Sequence, residues 1–484
     1  MIFRRILAVC ACFVMVFLLT SCQGLDNDPD AMLMAPKPTG ELYGISQALE
    51  QSVGSDIDLK YPKKGQYLSA FTLFDVDGDG EDEAIAFYSF TNNASGDINV
   101  SLIDKIDGEW HVVGTGKAAA TSVESLSFAD LDGNGTMEVI VGWNIFSTVE
   151  KQVAAYAAAD GKFTQRLLEN YSEFIICNLL EKDYSQILTV LHDATAKTST
   201  ARLMHLKSQS GEIALVEEGN TQLDGNINSY LPPIAGTLAS GHPCVYIDAY
   251  KGNSSMITEI LYYMPPSGEP IEKSATTSGV QRATNIAPTV TATGGLFSPF
   301  HDEPLFDNEI TFRQAAMPMW DIDEDGVMEM PSLTEFPGYG TVNDSSKVYL
   351  VSWRNYDEKK FTAVKTAVMN YTEGYYITVP ESWATTATAN ITVSRNADHS
   401  VMSFYAWDKE SGVKGDELFR VHVFTRDAWE RRNVDEFGDY FVILADESKV
   451  YAGYVFNPQH TFSMNEMQIK DAFVRDNTMT PIVR

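Results

Sequence analysis

Short apolar runs, each about the length of a β-strand, recur along the first three quarters of the chain. Residues 84–90 and 139–143 are rich in apolar and aromatic side chains, and bounded runs of this kind are typical of strands. Shorter strand-like runs at 73–74 and 127–128 precede them. An acidic loop separates the two runs of each pair, so the pattern predicts repeated strand–loop–strand units.

Three acidic loops share one spacing of side chains. Each has Asp or Asn at positions 1, 3 and 5, glycine at position 6 and glutamate at position 9; the loops are residues 75–83, 130–138 and 321–329. This spacing wraps a hard cation such as Ca²⁺, which takes six to eight oxygen ligands at about 2.3–2.6 Å. The glycine permits the turn that brings the position-7 carbonyl to the same centre. The predicted Ca²⁺ ligands are Asp75, Asp77, Asp79, Glu81, Glu83, Asp130, Asp132, Asn134, Thr136, Glu138, Asp321, Asp323, Asp325, Val327 and Glu329.

An EF-hand is the first alternative for these loops, and the sequence argues against it. An EF-hand loop ends in a bidentate glutamate at position 12 and lies between two helices. Position 12 is Ala86, Val141 or Ser332 in the three loops. The flanking residues of the first two loops predict strands, so the glutamate at position 9 has to supply the closing ligand.

A second alternative is a set of Asx-type turns that join strands without a metal. Four carboxylates within a few ångströms repel one another unless a cation offsets the repulsion. The clustering of acids in each loop therefore favours metal binding over metal-free turns.

The order strand, D-x-D-G-[DN]-G-x-x-E, apolar strand resembles the FG-GAP or VCBS-type repeat of integrin-α-like β-propellers. The resemblance covers roughly residues 65–370 and is carried by the three loops. It implies a mainly β chain built as a β-propeller with Ca²⁺-binding loops. The third loop departs from the pattern at Glu324, where the other two have glycine; this position need not be a ligand.

Further copies of the repeat follow the apolar positions after the acidic ligands are lost. Residues 178–190 align with the second loop and its strand, with Ile187 and Leu188 on Val139 and Ile140. Another copy runs from 236 to 247. Module starts at 75, 130, 178, 236 and 321 give a period of about 50 residues, which fits one four-stranded blade per repeat. Residues 274–295 form an insertion or a degenerate blade, and five to seven blades are expected.

From residue 375 the acidic loops cease, and the pattern predicts a smaller α+β domain. Helices are expected at 426–432 and 463–473, the second with Ser463 as N-cap and Glu466 three residues later. The opening segment, 374–383, resembles that of PsbP-like domains; a sheet that caps the propeller is the alternative. Predicted strands are residues 389–394, 401–407, 418–425, 441–444 and 450–456.

Two cysteines, Cys177 and Cys244, lie in the predicted propeller. They occupy non-equivalent places in successive modules, so buried free thiols are expected. A disulfide is the alternative.

The charge of the chain limits its partners. It has 66 Asp and Glu against 35 Lys and Arg, a formal net charge of −31. Nucleic-acid binding depends on basic side chains that neutralise phosphates, and docking on an anionic lipid surface has the same requirement. We expect neither.

The first 22 residues predict a lipid anchor. Arg4 and Arg5 precede an apolar stretch, 6–19, which is a secretory signal rather than a spanning helix. The stretch ends in Leu-Thr-Ser-Cys22, which resembles the bacterial lipobox and implies lipidation of Cys22. An ordinary cleaved signal is the alternative. The prediction is a protein held by its lipid at the extracytoplasmic face of the cell membrane.

The predicted organisation is a signal peptide at 1–21, a flexible tether at 22–41, a propeller at 42–374 and an α+β domain at 375–484. Motifs of zinc proteases, of serine hydrolases with a nucleophile elbow and of P-loop enzymes are absent from the sequence. We therefore expect a Ca²⁺-binding module that binds an extracellular protein or glycan. A glycan-active hydrolase or lyase on the same scaffold is the alternative.

Replacing Cys22 with alanine should release the protein into the medium or stall its processing, because the covalent lipid supplies the membrane affinity. Fractionation of cells after a high-salt wash measures this. Cys12→Ala, a change within the apolar stretch, is the matched control and should leave the protein with the membrane. A Cys22→Ala protein that still partitions with membranes would contradict the lipoprotein prediction.

Overall fold

The computed structural model describes residues 40–92, 96–145, 151–159, 162–209, 212–266, 294–301, 308–340, 347–379, 383 and 390–476. The predicted signal peptide, Cys22 and nearly all of the tether lie outside these ranges, as does almost all of the predicted insertion at 274–295. Among the helices of the described ranges, none has the length and apolar character needed to cross a bilayer.

The described residues form six antiparallel sheets that follow one another along the chain. The first sheet contains β1 (Ile57–Lys60), β2 (Phe71–Phe74), β3 (Glu83–Phe90), β4 (Ile98–Ile106) and β5 (Glu109–Ala118). The second contains β6 (Ala120–Ala129), β7 (Glu138–Ile145), β8 (Lys151–Ala159) and β9 (Lys162–Tyr171). The third contains β10 (Glu173–Cys177), β11 (Gln186–Asp193), β12 (Thr198–Gln209) and β13 (Glu212–Leu223).

The remaining three sheets complete the described fold. The fourth contains β14 (Ser229–Tyr230), β15 (Ile234–Thr237), β16 (Pro243–Lys251), β17 (Ser255–Met264) and β18 (Gly295–Phe297). The fifth contains β19 (Met330–Glu335), β20 (Tyr349–Tyr356), β21 (Phe361–Asn370), β22 (Tyr375–Thr378) and β28 (Phe473–Arg475). The sixth contains β23 (Ile391–Arg395), β24 (Val401–Asp408), β25 (Val413–Thr425), β26 (Phe441–Ala445) and β27 (Lys449–Val455).

Helices are short and few in the described chain. They are α1 (Glu41–Val53), a 3₁₀ turn at Asn308–Thr311, α2 (Arg426–Glu430), α3 (Val434–Phe437) and α4 (Glu466–Ala472). The predicted mainly β fold class is confirmed, because strands far outnumber helices in the described ranges. The strands of each sheet pair mostly in chain order, as in the blades of a propeller.

Neighbouring sheets pack face to face through aromatic and β-branched side chains. Phe87 of the first sheet contacts Trp143 of the second with ring centroids 5.8 Å apart. Tyr375 of the fifth contacts Tyr451 of the sixth at the same distance. Further clusters of buried side chains join the second, third, fourth and fifth sheets in turn. Full burial of one such side chain contributes about 1.5–3 kcal/mol, so face-to-face contacts hold the array together.

Helices cover the outer faces of the first and sixth sheets. In α1, Ile45, Ala48 and Leu49 recur at helical spacing and pack on Ala84 and Tyr88 of the first sheet. On the sixth sheet, α2 and α3 contribute aromatic side chains that pack on β25. Across the described ranges, no hydrophobic cluster joins the first sheet to the sixth.

The fifth sheet takes strands from both sides of the predicted domain boundary at 374/375. β22 pairs with β21 across a tight turn, and its other edge pairs with β28 near the end of the described chain. Backbone hydrogen bonds thus continue across the boundary. The division into two domains stays a prediction.

The predicted elements after residue 389 are largely present. The five strands overlap β23 to β27, and the helix expected at 426–432 is α2. Trp383 lies in the shared core of the fifth and sixth sheets.

The choice of Ser463 as a helix N-cap is wrong. Helix α4 begins at Glu466, and its N-cap is Asn465, whose side chain accepts from the Gln468 N–H at 3.0 Å. The Gln468 side chain accepts in return from the Asn465 N–H at 2.9 Å. This reciprocal pair satisfies two backbone donors at once, whereas the Ser463 hydroxyl has no partner among the described residues.

Replacing Asn465 with alanine should lower the free energy of unfolding by about 1 kcal/mol, because the first turn of α4 loses its cap. Ser463→Ala is the control and should change it by less than about 0.5 kcal/mol. Differential scanning calorimetry of both variants measures the difference, and equal effects would contradict the cap assignment.

Candidate metal centres

The acidic loops lie between strands, as the sequence predicts. The first joins β2 to β3 and the second joins β6 to β7. The third precedes β19, and its ends are held together by an antiparallel bridge between Trp320 and Glu329. No helix flanks any of the three loops, so the structure agrees with the rejection of an EF-hand.

Position 4 of each loop adopts a left-handed backbone. The φ angles are 78° at Gly78, 78° at Gly133 and 61° at Glu324. Glycine reaches this region without strain, whereas a residue with a Cβ does so at a cost. The third loop thus keeps the shape of the other two although its residue differs.

The aspartate at position 1 shapes the loop through its two carboxylate oxygens. In the second loop, Asp130 Oδ1 accepts from the Gly133 N–H at 2.7 Å and Oδ2 accepts from the Gly135 N–H at 2.9 Å. Asp75 makes the same pair of bonds in the first loop. In the third loop, Asp321 Oδ2 accepts from the Gly326 N–H at position 6, whereas Oδ1 accepts from the Asp325 N–H at position 5. Each oxygen keeps a second lone pair, so these bonds leave room for a cation.

The glutamate at position 9 lies buried beneath its loop. Glu138 and Glu329 are fully buried, and Glu83 is 3% exposed. In the second loop, Glu138 Oε2 accepts from the Leu131 N–H at 2.8 Å, and the other two loops repeat this bond. Among the described residues, Oε1 of Glu138 and Oε1 of Glu329 have no hydrogen-bond partner. A buried carboxylate oxygen without a partner is costly.

The pKa values of these glutamates reflect the same environment. Burial, and after it the carboxylates of Asp132 and Asp130, raises the pKa of Glu138 to about 7. Burial likewise raises the pKa values of Glu83 and Glu329 to about 7. A cation bound at the loop would favour the ionised form of each group.

In each of the three loops, the structure places three acidic side chains close together. In each group, one carboxylate oxygen per residue lies within 4.8 Å of the others. The groups are Asp75, Asp77 and Glu83; Asp130, Asp132 and Glu138; and Asp321, Asp323 and Asp325. Asp79 and Glu329, both predicted ligands, are not members of these groups. The side-chain oxygens of Asp79 and Asn134 accept from backbone N–H groups two residues on.

The third sheet shows how the corresponding loop, residues 178–186, closes without a glutamate at position 9. Gln186 occupies the place of the position-9 glutamate; its Oε1 accepts from the Leu180 N–H at 3.1 Å, and its Nε2 donates to the Tyr184 carbonyl at 2.8 Å. An amide supplies both a donor and an acceptor, so both polar atoms of the Gln186 side chain form hydrogen bonds within the loop. The sequence predicted the module and its lost ligands, but not this compensation.

Backbone hydrogen bonds connect the first acidic loop to the second and the second to the loop of the third sheet. The Met137 N–H in the second loop donates to the Val76 carbonyl in the first at 2.7 Å. The Ser185 N–H donates to the Asp130 carbonyl at 2.7 Å. These links join residues far apart in sequence, and no sequence signal indicated them.

The two cysteines are buried free thiols in separate sheets. Burial raises the pKa values of Cys177 and Cys244 to about 12. The prediction of free thiols is confirmed.

No model of a known protein family matches the chain, and no curated protein matches it. Similar solved structures include the rhamnogalacturonan lyase YesW, at 10% identity over 74% of this chain and 76% of that chain, with a TM-score of 0.26. The periplasmic gluconolactonase PpgL of Pseudomonas aeruginosa has 13% identity over 75% and 89%, with a TM-score of 0.21. The Dos1 propeller has 10% identity over 71% and 65%, with a TM-score of 0.25. These similarities are weak, and the fold is defined by the sheet topology of this chain.

Glu138→Gln should separate the two roles of the position-9 carboxylate. The amide oxygen can still accept from the Leu131 N–H, as Gln186 Oε1 accepts from the Leu180 N–H, but the change removes a buried charge. Without calcium we expect an unchanged or higher melting temperature. With calcium the rise in melting temperature should shrink by roughly a third, since one of three sites is lost.

Scanning calorimetry in EDTA and in millimolar CaCl₂ measures both effects. Glu109→Gln, an exposed change on β5, is the control for loss of charge alone. A Glu138→Gln protein with the full calcium response would contradict the assignment of Glu138 as a ligand.

Proposed function

We propose that this protein is a calcium-stabilised module with propeller-type blades, anchored by a lipid at Cys22 to the extracytoplasmic face of the cell membrane, that binds a protein or glycan. The observation that carries the metal assignment is the pair of buried, unpartnered oxygens on Glu138 and Glu329. Carboxylate oxygens of Glu138, Asp130 and Asp132 lie within 4.8 Å of one another. Glu329 is buried beneath the loop in which carboxylate oxygens of Asp321, Asp323 and Asp325 lie equally close.

Calcium is the cation that the donor set favours. The predicted ligands are carboxylate, amide and carbonyl oxygens, without nitrogen or sulfur donors. Hard cations with flexible coordination take such sets, whereas Zn²⁺ is usually bound through His or Cys. The resemblance to FG-GAP or VCBS-type repeats is consistent with the same ion.

The role proposed for the metal is structural. The loops adjoin β3, β7 and β19, and their backbones bond to neighbouring modules through Val76 and Asp130. A cation that fixes one loop would therefore also fix the contact between two sheets. Ca²⁺ polarises bound water weakly compared with Zn²⁺, so these sites are poor hydrolytic centres.

Calcium should raise the melting temperature of the full chain. A ligand that binds only the folded state adds about 2.7 kcal/mol of stability per site at one hundred times its dissociation constant. Thermal unfolding in EDTA, in millimolar CaCl₂ and in millimolar MgCl₂ measures the effect and its selectivity for calcium.

The matched control is the triple variant Glu83→Gln, Glu138→Gln, Glu329→Gln, which should lose most of the calcium response. The same melting temperature with EDTA and with calcium in the unmodified protein would refute the metal assignment.

A further inference from the structure

A cavity of about 560 Å³ opens between the loops of the third and fourth sheets. These are the two modules that lack the acidic ligands. Side chains that define its chemistry are Leu180, Tyr184, Glu218, Ser240, His242 and Tyr263. Its volume falls within the range of about 300–1,000 Å³ that is usual for small-ligand sites.

One wall of the cavity is organised by a buried histidine. The ring of Tyr184 stacks on His205 with centroids 4.7 Å apart. His205 Nε2 lies 2.9 Å from Glu218 Oε1, and His205 Nδ1 lies 2.7 Å from the Leu206 carbonyl. Tyr184 and Glu218 are thus positioned by the same imidazole before any ligand arrives, which lowers the cost of ordering them on binding.

The opposite wall is organised from the fifth sheet. Glu358, in the turn between β20 and β21, accepts from the Ser240 hydroxyl at 2.7 Å. Its Oε1 also lies 3.3 Å from Nδ1 of His242. The His242 ring in turn packs on Tyr262 at 5.4 Å between centroids. Residues of the third and fourth sheets and their loops therefore line the cavity, and Glu358 from the fifth sheet supports it from behind.

The second and third acidic loops flank these walls. The Ser185 N–H donates to the Asp130 carbonyl, and the Tyr184 ring lies so close to Gly133 that a Cβ there would be 3.4 Å from it. On the other side, Thr237 forms a parallel bridge with Val327 of the third loop. Two of the three loops proposed to hold calcium thus contact the modules that form the two sides of the cavity.

We propose that this cavity binds an uncharged oligosaccharide, and that the calcium loops on either side hold its walls in place. The second part of this statement depends on the proposed function. Tyrosine rings combine an apolar face with a hydroxyl, and the lining groups both donate and accept hydrogen bonds, as sugar hydroxyls do.

Local charge argues against an acidic glycan. Lys182 at the rim is accompanied by Glu181 and Glu218, and Glu358 stands behind the far wall. The chain as a whole carries −31. Carboxylates of a polyuronate would meet like charges here, which leaves an uncharged sugar as the ligand that the lining favours.

Isothermal titration calorimetry of the full chain in millimolar CaCl₂ tests this proposal. The probes are short neutral gluco-, manno-, xylo- and galacto-oligosaccharides, with trigalacturonic acid and chitosan trimer as charged comparisons. We expect saturable binding of at least one neutral probe. Tyr184→Ala and Tyr263→Ala should each weaken it about tenfold or more.

Tyr61→Ala is the control, since Tyr61 is 62% exposed outside the cavity, and it should bind like the unmodified protein. Glu218→Gln, a nearly isosteric change, should also weaken binding and covers the case in which an alanine variant fails to fold. No saturable binding by any neutral probe, binding only by a charged probe, or equal binding by the Tyr184 and Tyr61 variants would overturn the proposal.

Repeating the titration in EDTA, below the melting temperature of the metal-free protein, separates the two proposals. Weaker binding in EDTA supports the role of the loops. If binding still depends on Tyr184 but EDTA does not change it, the proposed role of the loops is refuted and the sugar site is supported. If calcium raises the melting temperature but no sugar binds, the sugar site is refuted and the metal centres are supported.

Discussion

The burial of a glutamate at the start of the second strand is the constraint on which the acidic modules depend. Glu138 accepts a hydrogen bond from the Leu131 N–H and so closes the loop over a fully buried carboxylate. A carboxylate in such a place needs compensation for its lost hydration. The carboxylates of Asp132 and Asp130 add to the cost of ionising it, and this repulsion is the physical basis of the proposal that a cation binds at the loop.

The same constraint explains how modules diverge. In the third sheet Gln186 replaces the glutamate, and its amide donates to the Tyr184 carbonyl. Positions 1, 3 and 5 of this loop are Asn178, Leu180 and Lys182 instead of the two aspartates and the asparagine of the second loop. Tyr184 and Lys182 stand there, at a cavity. The cavity thus lies beside a loop that lacks the acidic ligand spacing of residues 130–138.

Sheet stacking sets the larger arrangement. Each inner sheet is buried on both faces, so a terminal sheet needs another cover for its outer face. Helix α1 covers the first sheet with Ile45 and Leu49, and Trp429 and Phe437 cover part of the sixth. The helices of this mainly β chain therefore cover apolar sheet faces that would otherwise be exposed.

Local sequence determined the features that depend on neighbouring residues. The spacing of acids and glycines defined the three loops, and apolar runs defined strands such as β3, β7 and β25. Non-equivalent module positions predicted that Cys177 and Cys244 stay unpaired, as they do. The loops and strands follow from backbone geometry and side-chain chemistry among neighbouring residues, and the cysteine prediction follows from the repeat of the module.

Tertiary structure decided what depends on partners distant in the chain. β28 joins β22 across nearly a hundred residues, which no local pattern signals. The cap of α4 is a local exception, since the reciprocal bonds between Asn465 and Gln468, three residues apart, make Asn465 rather than Ser463 the N-cap. The link from Ser185 to Asp130, and the meeting of Tyr184 with His242 at one cavity, arise only when sheets pack. Sequence periodicity specifies on which face of a strand or helix a residue lies, whereas tertiary packing specifies which residues contact that face.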